Sequence, residues 1–363
     1  MQATMVLLTA ACMVVGCGES IPSPRPAAPA SQPTAELASS DRFVFERPEM
    51  GTLFRIVLYA PNQTAANAAA AAAWERVEQL NHALSDYDPN SELSRLCSRT
   101  DDGPMTEPVH VGEDLWDVVS TAVEASRLSD GAFDITVGPL TRLQRAMRKT
   151  RQMPTDEQLA QAKACVGWQY IKLDPAHHGI QLLHRGMRLD VGGIAKGYTS
   201  AQVLKTLRGL GINRALCGAA GDISAGDPPP GRTEWIVGIQ SLSEPAKIAG
   251  HVKLQNYAVS TSGDTYRGAD VDGQRFSHIV DPRTGLGLTR RIGVTALAPE
   301  GITADWITKP ISILGPERGI EIVERIPGAA ARVVTIDRDG HEKVYESKRF
   351  AQFVVPDEPA SRP

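Results

Sequence analysis

The chain has 363 residues, of which 42% are hydrophobic and 22% charged, so it can bury a sizeable core as one large domain or as two closely packed halves. Its formal net charge of −4 gives no overall attraction for nucleic acid, since that binding depends on clustered Lys and Arg side chains. We therefore exclude nucleic acid as a main partner. One basic run indicates either a solvated helical face or a docking patch for an acidic partner: Arg142, Arg145, Arg148, Lys149 and Arg151.

The N-terminus has the pattern of an export signal followed by an extended linker. Residues 5–15 are apolar over a length too short to span a membrane but suited to the core of a signal peptide. Val14-Val15-Gly16-Cys17 resembles the lipobox of bacterial lipoproteins, although the first four residues carry no Lys or Arg, and an ordinary cleaved signal is the alternative. We expect a signal peptide over 1–17, a Pro-, Ala- and Ser-rich tether over 18–40, and a lipid on Cys17 that anchors the protein to a membrane, facing the periplasm or the cell exterior.

Hydrophobic periodicity and turn residues predict the elements in chain order. Alternating β-branched and aromatic residues predict two strands around a turn, over 43–46 and 50–59. Apolar residues at helical spacing predict helices over 64–84, 112–128 and 195–210. Short strands then dominate, over 214–217, 235–239, 251–254, 257–260 and 293–297. Two helices, over 311–314 and 317–325, precede a closing hairpin over 331–345. Strands in runs with helices grouped between them indicate an α+β fold.

The densest glycine cluster runs from Asp190 to Tyr198, with the sequence Asp-Val-Gly-Gly-Ile-Ala-Lys-Gly-Tyr. It lies between a strand and the start of a predicted helix, where the backbone can approach a ligand closely and the helix N-terminus favours anions. The segment matches neither the P-loop nor the Gly-x-Gly-x-x-Gly dinucleotide pattern. Its spacing alone leaves two interpretations open, a helix-entry turn and a phosphate site.

Six short blocks, taken together and in order, make the chain resemble the FAD:protein FMN transferases of the ApbE family. Each block alone is a weak signal, whereas six in the family's order are a strong one. The blocks are Met50-Gly-Thr52, Ser85-Asp-Tyr87 with the adjoining segment 91–95, Gly131–Leu140, the glycine segment 189–198, 258–263 and 277–285. The resemblance implies the family's α+β architecture, with a flavin transferase domain over residues 41–357.

The resemblance also implies a ligand and a reaction. Family members split FAD at its pyrophosphate, join FMN to a threonine hydroxyl of a target protein and release AMP, a phosphoryl transfer that depends on positioning and charge neutralisation. His278 is the candidate to accept the proton of the incoming hydroxyl, because an unperturbed imidazole titrates near neutral pH. An exported acceptor protein that carries the threonine is the implied partner. The implied FAD-binding residues are Met50, Tyr87, Ala132, Phe133, Asp134, Asp190, Lys196 and Ile279.

The implied metal site is where the sequence departs from the family. Members usually hold Mg²⁺ with a backbone carbonyl corresponding to Gly193, an aspartate corresponding to Asp305 and a threonine where this chain has Lys309. Thr308 is the replacement we expect as a ligand, although an Asp305–Lys309 ion pair at i,i+4 would occupy the site. Pro310 limits how regular the helix there can be. Three further departures lie in adjoining segments, at Ala201, Gly218 and Ala220.

Two other functions stay open on the sequence. Departures gathered around one metal and pyrophosphate site are also typical of a lipoprotein that binds flavin or a partner without transferring anything. An FAD pyrophosphatase would use the same metal site with water as the nucleophile and would yield FMN and AMP. The retained FAD-site residues favour the transferase, and Lys309 favours the non-catalytic alternative.

Overall fold

The computed structural model describes residues 40–263 and 268–356, and this part of the chain contains eight α-helices and fifteen strands. The helices are α1 (Gln63–Leu84), α2 (Glu92–Ser98), α3 (Glu113–Leu128), α4 (Gly138–Thr150), α5 (Asp156–Ala164), α6 (Ala195–Gly209), α7 (Gly301–Leu314) and α8 (Pro316–Arg325). The strands are β1 (Asp41–Glu49), β2 (Thr52–Ala60), β3 (Val109–His110), β4 (Ile171–Asp174), β5 (Gly179–Leu182), β6 (Ala215–Ala219), β7 (Asp222–Ala225), β8 (Trp235–Gln240), β9 (Ile248–Leu254), β10 (Tyr257–Gly263), β11 (Ala269–Val271), β12 (Gln274–Phe276), β13 (Arg291–Ala298), β14 (Ala330–Ile336) and β15 (Glu342–Glu346).

An eight-stranded sheet, in the order β1-β2-β6-β7-β10-β13-β14-β15, forms the centre of the fold. Each pair of neighbours in it is antiparallel. Three smaller sheets join β3, β5 and β4, then β8 and β9, then β11 and β12. Antiparallel ladders with helices packed against them confirm the predicted α+β class.

Alternation of side chains along the central sheet separates its two faces. On β2, Phe54, Ile56 and Leu58 are buried against α1 and α6. Val57, between them, instead joins a cluster with residues of β8 and β9 and with Phe350. A larger apolar cluster holds β13 and β14 against α3, α7 and α8. Because Phe54, Ile56 and Leu58 are fully buried whereas Leu53 and Arg55 on the opposite face are exposed, a slip of one residue would bring exposed positions into the core, and this fixes the register.

Helix α1 follows its prediction closely, and local chemistry explains where it begins. The side chain of Asn62 accepts a hydrogen bond from the Ala65 amide at 2.9 Å, which satisfies one of the amides that a helix start leaves unpaired. Small alanine side chains then let the helix lie close to the sheet, and the buried ones include Ala66, Ala69, Ala70 and Ala73. The predicted helices at 112–128 and 195–210 are likewise confirmed as α3 and α6.

Helix α7 corrects the prediction that helix resumes only at residue 311. The helix begins at Gly301 and continues through Pro310 to Leu314. A proline inside a helix removes one backbone hydrogen bond and crowds the preceding turn. Burial outweighs this cost here, because nearly every side chain of α7 packs against α6 or against β10 and β13. The longer helix matters for the site, since it carries Asp305 and Lys309.

The predicted signal peptide and almost all of the predicted tether lie at residues 1–39, outside the described residues. Lipidation of Cys17 therefore stays a prediction. The described residues from Ser40 onward form a single compact unit. In the part of the chain that the structure describes, none of the helices has both the length and the apolar character needed to cross a membrane.

Candidate active site

A cavity of about 490 Å³ opens where the glycine segment, helix α4 and the loop before β13 meet the end of β10. Its volume is in the range of small-molecule sites. Most of the residues implied by the resemblance line it, namely Tyr87, Ala132, Phe133, Asp134, Asp190, Gly193, Lys196, His278 and Ile279, together with Lys309. Residues separated by more than two hundred positions in the sequence thus share one wall.

Three of the expected site residues, Met50, Asp305 and Thr308, do not line this cavity. Met50 lies in the turn between β1 and β2, where its sulfur is 3.6 Å from the hydroxyl oxygen of Thr199, and its side chain packs against the core. Its flavin contact stays a prediction. Asp305 and Thr308 are fully buried on α7, behind the wall.

Two facing glycines explain how the glycine segment comes so close to α7. A Cβ added to Gly197 would lie 2.1 Å from the carbonyl oxygen of Gly301, and a Cβ on Gly301 would lie 2.3 Å from that of Gly197. Both positions therefore lack a side chain because the two helix backbones touch. The close approach lets the Gly197 amide donate to Asp305 Oδ2 at 3.0 Å, so that α6 and α7 share a buried carboxylate.

Two carboxylates and two ammonium groups form an ionic cluster at the base of the cavity. Lys196 Nζ lies 3.1 Å from Asp222 Oδ2 and 3.8 Å from Asp305 Oδ2, and it donates to the Gly192 carbonyl at 3.1 Å. Lys309 Nζ binds Asp305 Oδ1 and donates to the Asp305 carbonyl at 3.0 Å. The predicted Asp305–Lys309 ion pair is therefore confirmed.

The two buried carboxylates of this cluster differ in how strongly the site favours their charge. Burial and the neighbouring charge of Asp305 raise the pKa of Asp222, although the Ser260 hydroxyl donates to its Oδ1. Burial also opposes ionisation of Asp305, but Lys196 and Lys309 outweigh it and hold the Asp305 pKa below its usual value. Asp305 is thus the carboxylate that carries the fixed negative charge between the two lysines.

The residues at the implied Mg²⁺ position do not fit a divalent cation as they are arranged. Mg²⁺ requires oxygen ligands in near-octahedral geometry. One carboxylate oxygen of Asp305 is bound by the Lys309 ammonium, and the other accepts the Gly197 amide. The Thr308 hydroxyl donates to the Asp305 carbonyl at 2.8 Å, inside its own helix. Of the three expected ligands, only Gly193 lines the cavity, beside the aliphatic stem of Lys309.

Arg145 of α4 belongs to the basic run, but it is neither a solvated charge nor part of an exposed docking patch. Its guanidinium pairs with Asp86 at 2.6 Å and with Asp190 at 2.9 Å, and its central carbon lies 4.2 Å from the centre of the Tyr87 ring. The side chain is half-buried in the cavity wall and links two of the family-like blocks. The remaining members of the run are exposed, and one of them, Arg148, also borders the cavity: Arg142, Arg148, Lys149 and Arg151.

The Asp134 carboxylate accepts hydrogen bonds from nearby residues of the protein, although Asp134 borders the cavity. Its Oδ1 accepts the amide and the hydroxyl of Thr136 at 2.8 and 2.6 Å, and its Oδ2 accepts the Trp168 amide at 3.0 Å. Burial nevertheless raises its pKa. The neighbouring Phe133 ring lies against Trp306 of α7, with ring centres 6.0 Å apart. This segment therefore gives the cavity a rigid apolar edge.

His278 belongs to a loop whose backbone is held on both sides. The Ser277 amide donates to Leu288 at 2.7 Å, and the Leu288 amide donates to Ile279 at 3.0 Å. Gln144 of α4 also donates to the Ser277 carbonyl at 2.9 Å. The half-buried imidazole is thus placed in the cavity wall by its neighbours on both sides.

Asp281 caps the turn that follows His278. Its Oδ1 accepts the Arg283 amide at 2.9 Å, and its Oδ2 pairs with the Arg283 guanidinium at 2.7 Å. Burial opposes its ionisation, but these bonds outweigh burial and lower its pKa. Both carboxylate oxygens of Asp281 are therefore used in the turn.

Sequence reasoning did not select two site residues, Asp222 and Arg145. Asp222 ends a segment that differs from the family pattern at Gly218 and Ala220, and it begins the next strand, β7. Its position could have indicated a role for Asp222, because an acidic residue at the first position of a buried strand needs a partner for its charge. Arg145 was not distinguished from the other four members of the basic run, all of which are exposed.

The cavity is lined by two lysine ammonium groups and an imidazole, side chains that favour a phosphate-containing ligand. The model of the ApbE family matches residues 50–333. The chain therefore belongs to the ApbE family.

Similar curated proteins are the FAD:protein FMN transferases of Escherichia coli K12, 28% identical with 97% of each chain covered, and of Vibrio cholerae, 30% identical with 77% of this chain and 82% of the relative covered.

Solved structures agree with this membership. The flavin transferase ApbE from Vibrio cholerae is similar with a TM-score of 0.77 and 27% identity, covering 86% of this chain and 99% of that one. The apo form of the Pseudomonas stutzeri flavinyl transferase ApbE has a TM-score of 0.75 and 27% identity, covering 87% of this chain and 98% of the other. The family resemblance seen in the six short blocks is thus confirmed over the whole domain.

Proposed function

We propose that this chain is an FAD:protein FMN transferase that moves FMN from FAD to a threonine hydroxyl of an exported acceptor protein and releases AMP. The observation that carries the proposal is a single cavity that joins Lys196, at the start of α6, with His278 and with the apolar Phe133 edge. The names of the relatives and the family membership support the same reaction.

The side chains suggest a division of roles. Tyr87, Phe133 and Ile279 offer aromatic and apolar surface for the flavin ring, while the Lys196 ammonium lies at the region suited to phosphate. In the reaction, the acceptor oxygen bonds to the phosphorus of the FMN half as the bond from that phosphorus to the bridging oxygen breaks. AMP leaves with the bridging oxygen, and His278 accepts the hydroxyl proton.

Mg²⁺, which the resemblance implies, is not part of this proposal. Asp305 is the only carboxylate among the expected ligands, and Lys309 and Gly197 bind its two oxygens. No step is therefore assigned to a divalent ion.

Incubation of the mature protein with FAD and a threonine-bearing acceptor domain tests the proposal. We expect the acceptor to gain the mass of FMN less one water, and an acceptor with Thr→Val at the modified position to gain nothing. An acceptor that stays unmodified while free FMN and AMP accumulate would indicate an FAD pyrophosphatase instead. Bound flavin with no product would support the non-catalytic lipoprotein, the alternative that the Asp305–Lys309 pair favours.

We also propose that Cys17 is lipidated and that the protein works at a membrane surface, outside the cytoplasm. The support is the Val-Val-Gly-Cys pattern and the tether-like composition that follows it. Changing Cys17 to Ser should release the protein into the soluble fraction. Unchanged membrane retention, with no lipid on the N-terminal peptide, would rule out the anchor.

A further inference from the structure

The Lys309 side chain is held between its own helix, α7, and the glycine segment. Its ammonium binds both the Oδ1 and the backbone carbonyl of Asp305, one turn earlier on α7. Its stem lies along the glycine segment, where a Cβ added to Gly193 would come within 3.2 Å of Lys309 Cε. Only 16% of the Lys309 side chain is exposed, yet it lines the cavity. The ammonium is therefore a fixed charge at the cavity wall.

The Lys309 ammonium is already paired before any ligand binds. Asp222 and Asp305 face Lys196 and Lys309, and all four groups lie within one connected set of ion pairs. A divalent cation placed on Asp305 would stand next to the Lys309 ammonium and would compete with it for the same oxygen. The Thr308 hydroxyl would also have to leave its bond to the Asp305 carbonyl.

We propose that Lys309 replaces the divalent cation in this protein, so that FMN transfer proceeds without a metal. The inference rests on the proposed function and identifies how the same site neutralises the pyrophosphate. Lys309 and Lys196 together face the phosphate oxygens and offset the charge that develops as AMP leaves. An ammonium is a point charge that cannot hold several oxygens in fixed geometry, so the transfer is slower than a metal-assisted one.

The first test compares transfer by the wild-type protein with and without metal. Protein is treated with EDTA, and the acceptor mass is followed in EDTA and in excess Mg²⁺. We expect the two rates to agree within about twofold, whereas a metal that supplies several kcal/mol would change them by about 100-fold or more. Activity that EDTA abolishes and Mg²⁺ restores would overturn the inference and leave the proposed function intact.

The second test measures metal binding directly, with Mn²⁺ as the probe and its free EPR signal as the readout. FAD-loaded wild-type protein should leave the signal unchanged, and Lys309→Thr should bind one Mn²⁺ per chain. Lys172→Thr, an exposed lysine on β4, is the matched control and should behave as wild type. Lys309→Gln, which keeps a donor of similar length without the charge, serves if the threonine variant does not fold.

Failures of the two proposals are distinguishable. If no acceptor is modified with or without Mg²⁺, the proposed function fails, and the Mn²⁺ titration still decides whether Lys309 excludes the metal. Stoichiometric Mn²⁺ binding by wild-type protein that persists after Asp337→Asn, which removes a ligand from the exposed Asp337, Asp339 and His341 group, would refute the replacement, whatever the activity.

Discussion

Replacing Gly197 by alanine should force α6 and α7 apart at the point where they carry the ionic cluster. The new Cβ would lie 2.1 Å from the Gly301 carbonyl oxygen and 2.6 Å from Asp305 Cβ. Ordinary contact begins near 3.4 Å, so the helices must separate by about 1.3 Å. Because the obstacle is backbone, it cannot rotate away as a side chain would.

Two opposing effects determine how much the unfolding free energy of Gly197→Ala changes. Overpacking costs about 3 kcal/mol at the upper end of its usual range, and the better helix propensity of alanine returns about 1 kcal/mol. The unfolding free energy should therefore fall by about 2 kcal/mol, as measured by urea denaturation. FAD affinity should fall as well, because the Gly197–Asp305 hydrogen bond lengthens.

Gly209→Ala is the matched control at the other end of the same helix. No atom lies within 4 Å of its added Cβ, so this variant should be neutral or more stable by up to about 1 kcal/mol. If Gly197→Ala were as stable as wild type and bound FAD equally well, the close helix contact would not be what positions Lys196 and Asp305.

Three further outcomes are expected. Arg145→Ala should weaken FAD binding about tenfold in a fluorescence titration, since the guanidinium holds the cavity wall, whereas exposed Arg142→Ala should not; equal effects would refute this role. His278→Ala should slow transfer by about 100-fold or more with little change in FAD affinity, and unchanged turnover would exclude it as the base. Burial opposes the ionisation of Asp114, but its bonds with Arg76 lower its pKa, so its stabilisation is present at neutral pH and is lost below about pH 4. Between about pH 6 and about pH 3, the unfolding free energy of Asp114→Asn should therefore fall by less than that of the wild-type protein. An equal fall in both proteins would contradict the lowered pKa of Asp114.

Periodicity predicted the elements whose apolar residues recur at regular helix or strand spacing. Helices α1, α3 and α6 and most strands of the central sheet follow that pattern, and their ends shift only slightly. Helix α7 was predicted too short because it is buried almost all round and contains Pro310, so neither amphipathic spacing nor propensity marks its start. Tertiary packing decides its length, and a single sequence does not carry that information.

The predictable parts of the candidate site are those formed by residues close together in the sequence. The i,i+4 spacing of Asp305 and Lys309 predicted their ion pair. The glycine segment predicted a close approach of the backbone to a ligand, whereas the contact that the structure shows is between Gly197 and Gly301 of α7. Asp222 could not be selected in this way, since its partners Lys196 and Ser260 come from other elements. Whether a buried carboxylate meets a lysine depends on how the sheet and α6 pack together.

The ratio of AMP released to acceptor modified, measured in one reaction by chromatography and intact mass, tests the central claim most directly. A transferase whose pyrophosphate site is this cavity should give one AMP for each FMN attached, with no free FMN. The wild-type ratio should stay at one in EDTA, because Lys309 supplies the fixed positive charge. AMP formed with an equal amount of free FMN, and no modified acceptor, would contradict the assignment of this chain as an FMN transferase.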